Sequence, residues 1–254
     1  MKREWLQGYN GYQIPVCNQI AGEERVLIVC HGFGSSKDSP MVEALQGEMP
    51  RHAIGTYSFD FPCHGESPAQ GVALRVENCL SDLAAVEDRV RRIAPESQLS
   101  FFGSSFGAYI VLLYLARRGH EGGRAFLRSA AVDMHGIFQR WFRETPPVWH
   151  LDPECDADKD YFTLDYEYQR EMRISRAFIR GLEENPVDLH YPKAGIELCM
   201  IHGDADSTAP YEVSRRFAKY TGAELHTVSG GEHRLMGAGE MKRVLDCAVR
   251  FLSK

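Results

Sequence analysis

Gly103-Ser104-Ser105-Phe106-Gly107 fits the pattern G-x-S-x-G. Before it lies Gln98-Leu99-Ser100-Phe101-Phe102, a short apolar run that predicts a strand. After it, Ala108 to Ala116 is apolar all round and predicts a buried helix. A serine on a sharp turn between a buried strand and a buried helix is a nucleophile elbow. The glycines at 103 and 107 suit a tight turn with other backbone packed close to it. The helix N-terminus beneath Ser105 favours negative charge developing there.

Outward from this turn, apolar strands alternate with helices. Further strands are predicted at 25–30, 54–59, 127–132, 196–201 and 223–228. Helices are predicted at 39–49, with Ser39 as cap and Pro40 in the first turn, and at 76–93, 211–220 and 238–252. The elbow helix is expected to stop at Arg117-Arg118-Gly119, with glycine as its cap. Asn10-Gly11 between two apolar runs predicts an N-terminal hairpin with a type I′ turn. The alternation implies an α/β fold. Its sheet should have about eight mostly parallel strands, with helices on both faces and an antiparallel edge.

Residues 134–192 break the rhythm. They are rich in charge and aromatics, including Trp141, Trp149, Tyr161, Phe162, Tyr166 and Tyr168, and 165–184 reads as helix. The expected organisation is a core of 1–133 and 193–254 carrying 134–192 as an inserted lid or cap.

The chain has 254 residues, 44% hydrophobic and 25% charged, enough for one large core. A net charge of −6 without a basic block argues against nucleic acid or an anionic membrane surface as partner. No stretch is apolar and long enough to span a bilayer, and no apolar run follows the basic residues at 2–3 as a secretory signal requires. Seven scattered cysteines without a C-x-x-C pair point to reduced thiols and a cytoplasmic location. Cys63-His64, being adjacent, lack the spacing of a zinc pair, so neither metal nor organic cofactor is expected. A homodimer is left open.

Acyl transfer needs a nucleophile, a base, a group that orients the base, and donors for an oxyanion. His233, in the glycine-rich stretch after the last strand, is the candidate base. Asp206 and Asp204 compete as the orienting acid, in a loop at the carboxyl end of the sheet where ligand sites form. The expected oxyanion donors are the backbone N–H groups of Phe106, next to the nucleophile, and Phe33, in His31-Gly32-Phe33-Gly34. Removing one such donor costs about 2.7–4 kcal/mol of transition-state stabilisation. His31 reads as a support for its loop rather than the base. The chain order Ser105, Asp206, His233 is that of the α/β-hydrolases.

Four segments resemble the α/β-hydrolase superfamily, and the resemblance covers nearly the whole chain outside the insert. His31-Gly32-Phe33-Gly34 is similar to its oxyanion loop. Asp60-Phe61-Pro62-Cys63-His64-Gly65-Glu66-Ser67 is similar to D-x-x-G-H-G-x-S, with Cys63 where glycine is common. The third is the elbow at Ser105. The fourth, Gly203 to Pro210, is similar to G-x-x-D-x-x-x-P, and this pattern selects Asp206 over Asp204. Within the superfamily, the run at 31–38 and the single central insert resemble the feruloyl and cinnamoyl esterases, a group similar to bacterial monoacylglycerol lipases and serine aminopeptidase-like hydrolases.

The resemblance implies hydrolysis of a small-molecule carboxylic ester, with the insert shaping the acyl pocket. Trp141 and Trp149 would suit an aromatic or medium acyl group, or form a small core within the insert. Thioesterase, acyltransferase and peptidase activities share the same triad. A catalytically inactive binding protein is the alternative of another class. Lys37-Asp38 read as a surface pair, and the acidic residues between Asp152 and Asp160 as a solvated loop.

Overall fold

The computed structural model describes residues 1–118, 123–166, 169–187, 191, 195–237 and 239–254. Ten strands and seven helices follow one another along these residues. The hairpin β1 (Lys2–Gln7) and β2 (Gln13–Gln19) precedes β3 (Arg25–Cys30), α1 (Pro40–Glu48) and β4 (Ile54–Phe59). Then come α2 (Val76–Ile93), β5 (Gln98–Ser104), α3 (Phe106–Arg118) and β6 (Gly123–Arg128). The insert holds α4 (Met134–Glu144), β7 (Tyr161–Tyr166), β8 (Gln169–Ser175) and α5 (Arg176–Glu184). The core resumes with β9 (Ile196–Gly203), α6 (Tyr211–Thr221), β10 (Glu224–Val228) and α7 (Glu240–Leu252).

Eight strands form one sheet in the order β1-β2-β4-β3-β5-β6-β9-β10. The hairpin joins β4 antiparallel, and every pairing from β4 through β10 is parallel. This is the expected α/β-hydrolase architecture. Successive side chains of a strand point to opposite faces, so each central strand feeds two cores. Val26, Ile28 and Phe101 join one, with α2 and α3; Leu27, Val29 and Phe102 join the other, with α1 and α7. From Phe106 to Leu115 every residue of α3 is buried, which explains why its sequence is apolar all round.

Three local expectations change. The strand expected at 127–132 is β6, ending at Arg128, because Ser129 turns the chain at φ +46° and Ala131 N–H goes to Ser105 O at 3.3 Å. The N-terminal hairpin has a five-residue connection, closed by Gly8 N–H to Tyr12 O at 3.0 Å. Gly11 is its only residue at positive φ, so the turn is not type I′. Tyr12, the last residue of the connection, donates its hydroxyl to Asp82 on α2 at 3.0 Å. Of the helix expected at 165–184, α5 alone is helical. The described residues before it belong to β7 and β8, where Phe162 is buried on one strand and Met172 and Ile174, two apart, on the other. Gly119, Tyr168, residue 192 at the end of the insert and residue 238 lie outside the described residues.

Candidate active site

Parallel pairing brings the ends of β3, β5, β6, β9 and β10 to one edge, and the candidate residues follow those ends. Ser105 sits directly between β5 and α3 at φ +52°, a left-handed conformation unfavourable for any residue with a Cβ. Its neighbours hold it there. Ser105 N–H donates to Arg128 O at 2.9 Å, and Ser105 O accepts from Tyr109 N–H at 3.1 Å. Gly107 lets α3 press against β3: a methyl group there would lie 2.3 Å from Cys30 O.

His233 Nε2 lies 2.9 Å from Ser105 Oγ, and its Nδ1 lies 2.8 Å from Asp206 Oδ2. Asp206 is buried, and Oδ1 accepts the N–H groups of Thr208 at 2.9 Å and Ala209 at 2.8 Å. Burial alone would raise its carboxyl, but hydrogen bonds from His202 and His233 outweigh that and hold it well below the ordinary carboxylate range. Three residues separated by up to 128 positions thus form one hydrogen-bonded relay.

Asp204 has a different place. Its Oδ1 accepts Gly230 N–H at 2.6 Å, tying the loop after β9 to the loop that carries His233. Backbone bonds from Asp204 N–H to Val228 O and from Ala205 N–H to Gly231 O, both 3.1 Å, complete that tie. The two loops are close enough that a methyl group on Gly203 would lie 2.0 Å from Gly231 O.

The loop after β3 lies against Ser105: a methyl group on Gly32 would sit 3.5 Å from Ser105 Cβ. That puts the stretch containing Phe33 beside Ser105, and the Phe33 ring packs 5.7 Å from that of Phe106, which opens α3. His31 supports this loop. Its Nδ1–H donates to Gly32 O at 2.8 Å and its Nε2 accepts Phe61 N–H at 3.2 Å. Burial pushes His31 down to about 4 and His64 to about 3, so both are neutral near pH 7.

Lys37 corrects an expectation. It is 1% exposed and not part of a surface pair. Its ammonium donates to Asp38 and Glu66 at 2.8 and 2.6 Å and lies 3.3 Å from Asp60 Oδ2. The acidic loop of the insert is also paired rather than simply solvated, since Asp160 bonds Arg176 at 2.9 Å and Asp158 bonds Arg180. Cys63 adopts φ +65°, so the departure from glycine leaves the turn intact but strained.

Trp141 and Trp149 do not contact Ser105, Asp206 or His233 through any ring or hydrogen bond among the described residues. Trp141 packs on Phe138, Phe142 and Phe162; Trp149 packs on Phe142 and Phe162, with the Arg176 guanidinium 4.0 Å over its ring. Insert rings that reach Phe33 include Phe138 and Phe178, at 5.6 and 5.9 Å between centroids. Periodicity alone had no means of separating these from other core aromatics.

Two further residues at the site escaped sequence reading. His202 lies buried beside Asp206, Nε2 to Oδ2 2.9 Å. Arg128, also buried, donates to Ser104 Oγ at 2.6 Å; burial lowers it to about 10 while the Asp206 charge opposes that shift. A histidine and an arginine at strand ends resemble many structural residues until the partners are known. Away from the site, Cys199, Glu224 and His226 bring metal-type donors within 4.8 Å of one another. Glu224 there already bonds His226 at 2.9 Å and has the Lys254 ammonium 3.8 Å away, which opposes a cation.

Comparisons with known proteins agree with this architecture. The family described as serine aminopeptidase, S33, matches residues 22–159. Est1E from Butyrivibrio proteoclasticus, solved with ferulic acid bound, superposes with a TM-score of 0.76 at 21% identity, over 99% of this chain and 100% of that one. Alpha/beta hydrolase domain-containing protein 10 from mouse gives 0.73 at 17% identity, over 98% and 97%. The esterase EaEST from Exiguobacterium antarcticum gives 0.71 at 16% identity, over the full length of both chains. No curated protein sequence matches this chain significantly. Among the described residues no helix is long and apolar enough to cross a membrane.

Proposed function

This chain belongs to the serine aminopeptidase family of α/β-hydrolases, and on that premise we propose that it hydrolyses carboxylic esters through an acyl-enzyme on Ser105. Ser105 Oγ attacks the ester carbonyl as His233 Nε2 takes its proton. Asp206 fixes the imidazole tautomer and stabilises the imidazolium. Phe33 and Phe106 N–H groups hold the oxyanion. His233 then protonates the departing alcohol, activates water, and the acyl group leaves as the acid. The observation that carries the reading is the pair of contacts on His233, 2.9 Å to Ser105 Oγ and 2.8 Å to Asp206 Oδ2.

On this reading the acyl group would lie beside Phe33, where residues 134–192 pack against the loop after β3. Phe138 and Phe178 touch Phe33 directly, and Trp141 contributes through Phe138. Trp149 joins through Phe142 and Phe162, one step further away. The substrate on this reading is an ester of an aromatic or short-to-medium acyl group, and seven cysteines without a disulfide fit a cytoplasmic setting.

Hydrolysis of 4-nitrophenyl esters of increasing chain length and of aromatic acids, by the wild type and Ser105→Ala, tests the proposal. Activity that survives Ser105→Ala would overturn it. Acyl-CoA thioesters and aminoacyl anilides run in parallel separate the thioesterase and peptidase readings. A fluorophosphonate probe that leaves Ser105 unlabelled would point to an inactive binding protein.

A further inference from the structure

We infer that His202 is a positioning residue for Asp206, a second imidazole locking the carboxylate that orients His233. The inference rests on the proposed triad. His202 is fully buried within β9. Its Nε2 lies 2.9 Å from Asp206 Oδ2 and 2.9 Å from Ala209 O. Both neighbours accept, so Nε2 carries the proton. Its Nδ1 is buried with no hydrogen-bond partner among the described residues. A bare lone pair there costs less than an unpaired N–H. His202 therefore carries its proton on Nε2 rather than Nδ1.

Asp206 is then held by three N–H donors and by the edge of the His202 ring. Oδ1 takes the Thr208 and Ala209 N–H groups; Oδ2 takes His233 Nδ1–H and lies 2.9 Å from His202 Nε2, which hydrogen-bonds Ala209 O. The bond from His202 to Ala209 O also fixes the curve of the loop between Asp206 and α6. A carboxylate so held cannot turn as His233 gains and loses its proton. It supplies charge from a fixed position, the preorganisation that lowers a barrier. Titratable or charged groups near this pair include Arg128 on β6, which also feels the charges of Arg234 and Glu240, Asp204 on the same loop, Arg140 on α4, whose Nη2 reaches Thr208 O at 3.4 Å, and Tyr211 on α6, 6.0 Å from the His202 ring.

A histidine buried only to satisfy Ala209 O would leave catalysis untouched when replaced by a group that still folds. His202→Leu removes the donor at similar volume. His202→Gln can return an amide N–H near the place of Nε2. With 4-nitrophenyl butyrate, His202→Leu is expected to lower kcat about tenfold with KM within about twofold. With Oδ2 less shared, the His233 imidazolium is better stabilised, so the acid limb of kcat/KM moves to higher pH. His202→Gln is expected to keep kcat within about threefold and the wild-type limb. In the wild type, two-bond proton–nitrogen correlation should show His202 protonated at Nε2 only. Wild-type kcat and acid limb in His202→Leu, equal damage in His202→Gln, or protonation at Nδ1 would each overturn the inference. Ser105→Ala is the control. If it stays active, the triad reading falls and this inference with it; if it is inert while His202→Leu is unimpaired, the inference alone fails.

Discussion

The Lys37 ammonium lies 3.3 Å from the Asp60 carboxylate, and both are sealed from solvent. Asp60 also accepts Lys37 N–H at 2.7 Å and Glu66 N–H at 2.9 Å, so one carboxylate clamps the loop after β3 to the loop after β4. Burial pulls Lys37 down, yet its bonds to Asp38 and Glu66 and the Asp60 charge outweigh that and keep the ammonium above its ordinary value. Lys37→Met would leave Asp60 buried without a countercharge. Removing one member of a buried pair costs about 3–5 kcal/mol. We expect a fall in Tm on the order of 10 °C, measured by calorimetry, with reduced esterase activity as the oxyanion loop loosens.

Cys63 holds φ +65° immediately before His64. A left-handed conformation costs a residue with a Cβ about 1–2 kcal/mol. The side chain is nonetheless buried, at 4% exposure, with Sγ 3.5 Å from Gly71 O. Cys63→Ala loses the sulfur and keeps the backbone cost. Cys63→Gly loses both. Urea unfolding should therefore rank glycine above alanine at this position by about 1 kcal/mol, the reverse of the usual order. Alanine proving the more stable would mean that no strain is stored there.

The order of elements was legible because strand and helix periodicities differ and the turns carry glycine and serine. The α2 boundaries at Val76 and Ile93 follow from the apolar spacing. The insert was harder. Phe162, Met172 and Ile174 alternate over runs too short to tell a strand from a helix, and their burial depends on α4 and α5. Lys37 misled because its loop position resembled a surface, while the acids that bury it come from Asp60 and Glu66. Ser105, Asp206 and His233 could be named as candidates because each follows a strand end. His202 could not, since its role lies in a 2.9 Å contact that no spacing reports.

Asp82 on α2 is buried, and burial pushes its carboxyl up to about 7, against hydrogen bonds from Tyr12 and Asn10. An unfolded aspartate titrates near 3.9. The folded value is the higher one, so the stability linked to this group is complete below about pH 3.9 and is lost as pH rises through 7. Asp82→Asn removes that loss. It should raise stability on the order of 2 kcal/mol at pH 8 and change little at pH 4. His31 and His64, lowered by burial to about 4 and 3, run the other way, losing stability as pH falls below about 6.5. They are present in both proteins and cancel in the difference. Thermal melts of the two proteins from pH 4 to 8 measure it, and a gain that did not grow with pH would refute the assignment.

Asp204 and Asp206 stand two residues apart on one loop and do different work. Asp206 receives His233 Nδ1–H, while Asp204 receives Gly230 N–H and closes the loop that carries His233. Asp206→Asn keeps the shape but presents an amide that cannot stabilise an imidazolium or enforce the tautomer, so kcat should drop by about 10^3 to 10^4. Asp204→Ala leaves the relay chemically whole and frees Gly230 N–H to solvent. Looser placement of His233 should cost about tenfold in kcat, with about 1 kcal/mol of stability from the lost hydrogen bond. The two variants also differ in pH response. Asp204→Ala should retain the wild-type acid limb, because the groups bonded to His233 are unchanged. Asp206→Asn should shift that limb to lower pH, because the charge that favours the imidazolium is gone. Steady-state kinetics on 4-nitrophenyl butyrate from pH 5 to 9 separate these outcomes. The larger loss falling on Asp204→Ala would transfer the role of triad acid to Asp204, against the 2.8 Å contact between His233 and Asp206.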